Sequence, residues 1–303
     1  MVSLGIDTSN YTTSVALSHG DKGLLFEKRI PIRVRKGAVG IRQSDAFFQH
    51  MQHLDGLLRD IGPWLEAIGV IVVSVSPRNV PGSYMPVFRA GEIFAGTLAA
   101  ALKVPVIGLS HQEGHILSGW PEEFKGIRGF NVLQISGGTT ELLYVNSRPR
   151  RWEIEILYRT LDISFGQLID RIGVMMGCDF PAGKALDARA GTYEKTRLRI
   201  ALKEDGFNLS GIENHLQKRI DRGEDLTAVS GVLFSYLLEV ITAIDKNYRR
   251  EGPLLVIGGV GESQFIRRAL EPRGVYFAPE GLSSDNSVGL SRYPFIMEVA
   301  SEL

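Results

Sequence analysis

The chain opens on an apolar run, Val2 to Asp7, which ends in Asp7-Thr8-Ser9 before Ser14 to Leu17 resumes the apolar pattern. That reads as two strands joined by a tight polar turn. Ser44 to Leu58 has helical periodicity, and Val70 to Ser76 is a buried strand emptying into a loop with Pro77, Pro81 and Gly82. A helix over Phe88 to Leu102 follows, then a strand over Val104 to Leu109 that delivers the chain into His111. The second half starts again in the same style. Asn131 to Ile135 reads as a strand, Ser136-Gly137-Gly138-Thr139-Thr140 as a turn and Glu141 to Val145 as the returning strand. Helices over Gln167 to Met176 and Leu226 to Tyr248 precede a strand, Leu254 to Ile257, running into Gly258-Gly259-Val260-Gly261. Two similar hairpins, each followed by strands and helices, predict an α/β protein of two duplicated lobes, 1–128 and 129–303.

Composition adds limits. At 303 residues and 44% hydrophobic content the chain can bury a large core. Thirty-four basic residues balance 34 acidic ones, so no global field draws it to nucleic acid. Local contact is left to Lys28, Arg29, Arg33, Arg35 and Lys36, or to Arg148, Arg150 and Arg151, clusters that solvated hairpins also carry. The single cysteine, Cys178, excludes an intramolecular disulfide and reads as a small packing residue. No signal-peptide pattern opens the chain, and Ile93 to Leu102, its most apolar helical stretch, is about half a membrane span and reads as a buried helix. A cytoplasmic protein without a membrane partner is expected.

The candidate chemistry centres on Ser110-His111-Gln112-Glu113-Gly114-His115. Histidines at i and i+4 share one helix face and can share a metal. Glu113, two residues on at about 100° per residue, points roughly opposite, so this is not a protease HExxH arrangement. His50 and His53 read as an exposed face of the Ser44 to Leu58 helix. Ser283-Ser284-Asp285-Asn286, read by itself, is an ordinary helix N-cap. The glycine turns would let backbone N–H groups approach phosphates.

Taken in order, GIDTS (Gly5 to Ser9), HQEGH (His111 to His115), SGGTTEL (Ser136 to Leu142), FGQLIDRIGVMMG (Phe165 to Gly177), FPAGKAL (Phe180 to Leu186), NLSGIEN (Asn208 to Asn214), GGVGES (Gly258 to Ser263) and SSDNSVG (Ser283 to Gly289) resemble the universal tRNA threonylcarbamoyl transferase family. Its members were formerly called O-sialoglycoprotein endopeptidases. The resemblance implies the actin, Hsp70 and sugar-kinase fold, with a nucleotide and metal cleft. It implies one divalent iron or zinc ion on His111, His115 and Asp285, with Asp7 positioning metal-bound water or phosphate. Gly137, Gly138, Gly258 and Gly259 would receive phosphate and adenosine, and Gly166, Asp170, Gly183 and Asp187 would meet the nucleoside. The implied activity is transfer of a threonylcarbamoyl or related carbamoyl group from an adenylate donor to adenosine in tRNA, alongside partner proteins of a modification complex.

Departures gather at the first hairpin. The family typically carries an acidic pair where this chain has Tyr11 and Thr12, and a phenol or hydroxyl is no base near neutral pH without strong perturbation. Thr139 stands where many members have histidine or asparagine, Ser263 where asparagine is usual, and Gly40 to Asp45 and Gly82 to Pro86 replace the usual lobe segments. A catalytically degraded paralogue that binds nucleotide or tRNA as a partner or regulator is therefore the alternative. A sugar or acyl kinase and a metallopeptidase are more distant ones.

Overall fold

The computed structural model describes residues 1–9, 11–34, 41–148, 151–191, 200–282 and 286–297. Asp285 lies outside the described residues, as do Arg35, Lys36, Gly40, Arg150, Ser283 and Ser284. The chain divides into two compact units, one of residues 1–125, 148–152 and the C-terminal segment from 285, the other of 126–147 and 153–284. The chain first passes from one unit to the other at Lys125–Gly126, and residues 148–152 and the C-terminal segment belong with the first unit.

The first unit runs β1 (Val2–Asp7), β2 (Thr12–His19), β3 (Gly23–Pro31), α1 (Gln43–Asp60), β4 (Ile68–Ser76), α2 (Phe88–Leu102), β5 (Val106–Ser110) and α3 (His111–Ser118). Its sheet has the order β3-β2-β1-β4-β5, with β1 antiparallel to β2 and parallel to β4. β1 is buried along its whole length, and β4 (IGVIVVSVS) carries the β-branched run of a strand covered on both faces. The second unit continues with β6 (Gly129–Ile135), β7 (Thr140–Arg148), β8 (Arg151–Arg159), α4 (Phe165–Met175), α5 (Gly183–Ala190), β9 (Leu202–Lys203), β10 (Gly206–Phe207), α6 (Ser210–Asp221), α7 (Leu226–Tyr248), β11 (Leu254–Ile257), α8 (Gln264–Leu270) and β12 (Val275–Phe277). Its main sheet, β8-β7-β6-β11-β12, repeats the strand order of the first, with β6 antiparallel to β7 and then two parallel additions, β11 and β12. The duplication read from the hairpins is thus present strand for strand.

The last helix, α9 (Ser287–Ile296), packs in the first unit against α3, β1 and β2. Small residues make that possible. A Cβ on Gly5 would stand 2.1 Å from the Ser287 carbonyl oxygen, and one on Gly289 would stand 2.0 Å from that of Gly114.

The reading of Ile93 to Leu102 as a buried helix and the most apolar helical stretch is corrected. α2 is amphipathic rather than buried throughout, with Ile93 exposed. α7, not the Ile93 to Leu102 stretch, has the length and apolarity of a membrane span, and most of it is buried as the central helix of the second unit's core. His50 and His53 are also reassigned: His50 is fully buried, and the Nδ1 atoms of both rings meet the Thr13 hydroxyl, at 2.8 and 2.9 Å. Strand β2, crossing α1, supplies the polar partner that the helix pattern alone does not reveal.

Candidate functional site

β1, β4 and β5 are parallel neighbours, so their carboxyl ends share one edge of the first sheet. Asp7 ends β1, Ser74 lies near the end of β4, and Ser110 ends β5 and caps α3 directly. The Ser110 side chain accepts the Glu113 N–H while the Glu113 carboxylate accepts the Ser110 N–H and hydroxyl, both at 2.7 Å. This capping box fixes the first turn of α3, and hence His111. Glu113 therefore does point away from the histidines, as its spacing requires; burial raises its pKa, with the Ser110 hydrogen bonds opposing.

Asp7 is buried within a shell of donors. Its carboxylate accepts hydrogen bonds from the Ser9 N–H and hydroxyl, the Ser74 hydroxyl and the Asn286 amide at 3.5 Å, and lies 3.3 Å from His111 Nδ1. Burial works to raise its pKa, but the His111 imidazole and these hydrogen bonds outweigh it and hold the carboxyl well below the usual range. An ionised Asp7 favours the His111 proton on Nδ1 and leaves Nε2 as the nitrogen that could ligate a metal. The His111 and His115 rings follow one another with centroids 4.7 Å apart, and Phe88 packs edge-on against His111.

His115 is half-buried, and its Nδ1 is buried with no hydrogen-bond partner among the described residues. Burial, then the charge of His111, lowers its pKa to about 3, so the ring is neutral and its lone pair is free to ligate. Two imidazoles beside an ionised carboxylate offer the nitrogen and oxygen donors that suit a borderline divalent ion such as iron or zinc. Among the described residues no group of three His, Cys, Asp or Glu side chains forms a full set, and Asp285 falls outside them.

In the second unit the candidates also gather at one sheet edge, where the turns after the parallel strands β6 and β11 emerge. Gly137, Gly138 and Gly259 face open space at their Cα positions. Gly258 is required twice, by φ +92° and by the Ile135 carbonyl oxygen 2.3 Å from where a Cβ would sit. Gly166 serves close packing, since its Cβ would lie 2.6 Å from Gly137 Cα and its N–H already bonds the Ser136 carbonyl. Gly183 opens α5 with room around it. Both acids are engaged inside the unit: Asp170 accepts the Ala182 N–H at 2.8 Å, and Asp187 accepts the Ser263 hydroxyl and the Gln264 and Phe265 N–H groups.

Several participants escaped the sequence reading. Ser9 and Asn286 lay inside quoted motifs without a role, and Ser74 left a signal, a hydroxyl within the continuous apolar run of β4. Tyr11 is exposed, and its carbonyl accepts the Ile32 N–H. In the N-terminal basic cluster, Lys28 pairs with Asp60 at 2.7 Å and Arg29 with Glu27.

Comparison with known proteins follows this geometry. Residues 42–290 match the family model TsaD, tRNA N6-adenosine threonylcarbamoyltransferase. The proteins of that name from a Nitratiruptor species and from Dichelobacter nodosus are 27% and 31% identical to this chain. The first alignment covers 95% of this chain and 92% of the relative, the second 74% and 68%. Among solved structures, the activator of 2-hydroxyisocaproyl-CoA dehydratase from Clostridium difficile with bound ADPNP is similar at TM-score 0.58 and 12% identity, covering 100% of this chain and 98% of that one. HypF from T. kodakarensis reaches 0.56 at 12% identity, over 99% of this chain and 48% of that one. These likenesses are of fold, the actin, Hsp70 and sugar-kinase class. The chain belongs to the tRNA N6-adenosine threonylcarbamoyltransferase family, a family of transferase enzymes.

Proposed function

We propose that this protein transfers a threonylcarbamoyl group from an adenylate donor to the N6 amine of an adenosine in tRNA, in the cytoplasm and alongside partner proteins of a modification complex. The observation that carries the reading is the ionised, donor-saturated Asp7 set against the His111 and His115 pair, in a chain of this family. His111 and His115 would hold a divalent iron or zinc ion, with Asp285 as the carboxylate of the set. Such an ion supplies Lewis-acid polarisation of the donor carbonyl.

The chain's own groups set the rest. The turns at Gly137, Gly138 and Gly259 would receive the nucleotide on backbone N–H groups. In the transfer, the amine nitrogen forms a bond to the carbamoyl carbon, the bond from that carbon to the phosphate oxygen breaks, adenylate departs with the electron pair, and the amine proton passes to solvent. Asp7 is an orienter rather than the base, because its lone pairs are already used by Ser9, Ser74, Asn286 and His111. Tyr11, a phenol, does not replace the missing acid.

The test incubates the purified protein and its His111→Ala/His115→Ala variant with threonylcarbamoyl adenylate and unmodified tRNA. Digested nucleosides are then read by mass spectrometry and metal content by elemental analysis. Modified adenosine and one equivalent of metal in the wild type, both lost in the variant, are expected. Retained tRNA binding with neither product nor metal, in the presence of partner proteins, would favour the degraded paralogue.

A further inference from the structure

A cavity of about 280 Å³ opens in the first unit between the end of β2, the chain after α3 and the end of α9, lined by His19, Trp120, Glu122, Lys125, Arg292 and Phe295 among others. It is separate from the Asp7 site. β2 leaves that site at Thr12 and reaches the cavity at His19, while α3 begins at His111 and spans about 12 Å before its last carbonyls reach Arg292.

Arg292 gives the cavity its chemistry. Its guanidinium is three-quarters shielded, with 25% side-chain exposure, and donates from Nη1 to the Leu117 and Ser118 carbonyls and from Nη2 to that of Trp120, at 3.3 to 3.4 Å. A guanidinium has five N–H groups, so Nε–H and one Nη2 hydrogen remain without a partner among the described residues. The nearest carboxylate, Glu122, stands 4.0 Å away on a side chain that is 86% exposed. Burial pushes the Arg292 pKa down, and Glu122 only partly opposes it. Lys125 adds a second, exposed cation. Trp120, stacked on Trp152 with centroids 5.3 Å apart, and Phe295 supply apolar walls.

We propose that this cavity is a second binding site, for a small metabolite bearing one carboxylate and a compact apolar body. The two N–H groups that Arg292 has left among the described residues suit one carboxylate, and Lys125 adds positive charge on the exposed side. The planar fork of Arg292 matches a carboxylate in bidentate geometry. The volume lies just under the roughly 300–1,000 Å³ of drug-sized sites, which limits the occupant to something smaller.

The test is a titration of the full chain with benzoate and with benzamide, its neutral isostere, followed by nuclear magnetic resonance of the Trp120 indole N–H and the Arg292 Nε–H. A saturable shift of both signals with benzoate and none with benzamide is expected. Affinity should fall at least tenfold in Arg292→Gln and at least threefold in Lys125→Gln. Equal responses to the two probes, no saturable response to benzoate, or unchanged affinity in the variants would overturn the proposal. If Arg292→Gln fails to fold, the exposed Lys125→Gln carries the test alone. The readout involves no turnover, so it stands apart from the transferase reading.

Discussion

Replacing Gly289 by alanine should force α9 away from α3 and lower the melting temperature measurably. The new Cβ would stand 2.0 Å from the Gly114 carbonyl oxygen, 2.5 Å from the Ser118 nitrogen and 2.7 Å from its hydroxyl. Nonbonded heavy atoms prefer about 3.5–4.0 Å, so the helices must separate by roughly 1.5 Å, and two of the obstructing atoms are backbone that no rotamer change removes. The Ser118 hydroxyl that accepts the Gly289 N–H at 3.0 Å is displaced as well. Overpacking of this kind costs about 1–3 kcal/mol, and the upper end applies. The better helix propensity of alanine returns up to about 1 kcal/mol. A net loss near 2 kcal/mol, at about 2–4 °C per kcal/mol, lowers the transition by roughly 4–8 °C in differential scanning calorimetry. Gly96→Ala is the control, because it sits inside α2 on an exposed position with nothing within 4 Å of the added carbon. It should raise the transition by up to about 4 °C. A Gly289→Ala protein melting within about 1 °C of wild type, or above it, would refute the description of the α3–α9 seam.

Thr13→Val removes the hydroxyl shared by His50 and His53 while keeping the shape, and urea titration should register a loss of about 1–3 kcal/mol. Asp187→Ala removes the acceptor of the Ser263 hydroxyl and of two N–H groups at the start of α8, and should cost about 1–2 kcal/mol in the same assay, with Asp187→Asn retaining part of it. Asp162 accepts the N–H groups of Leu209, Ser210 and Ile163, which outweigh the opposing effect of burial and hold its carboxyl below the usual range. A depressed folded-state pKa gives stability that is present above the unfolded value near 3.9 and lost as pH falls below it. Unfolding midpoints from pH 6 to 3 should therefore fall less steeply in Asp162→Asn than in wild type; identical slopes would remove Asp162 from the acid response.

Most of the fold was legible because its central strands are continuous apolar runs, and burial on both faces leaves no other use for a sequence such as that of β4. The edge strands β3 (GLLFEKRIP) and β8 (RWEIEILYR) were not, since charged residues on the solvated face of an edge strand look like loop. α7 ran from Leu226 to Tyr248 as its periodicity required. The same contrast governs the site. His111 and His115 announce themselves by a four-residue spacing that one helix alone makes meaningful. The groups that set their chemistry do not: Ser74 comes from β4, Asn286 from the start of α9, and both reach Asp7 only because β1 lies between them in the folded sheet and seam. Local periodicity carries no information about which distant donor will meet a buried carboxylate. It does show where one is needed, because a charged residue ending a fully buried strand has to be satisfied from somewhere. Asp7 posed that demand in the sequence, and the small residues Gly5, Gly114 and Gly289, which let α9 approach, are how the fold meets it.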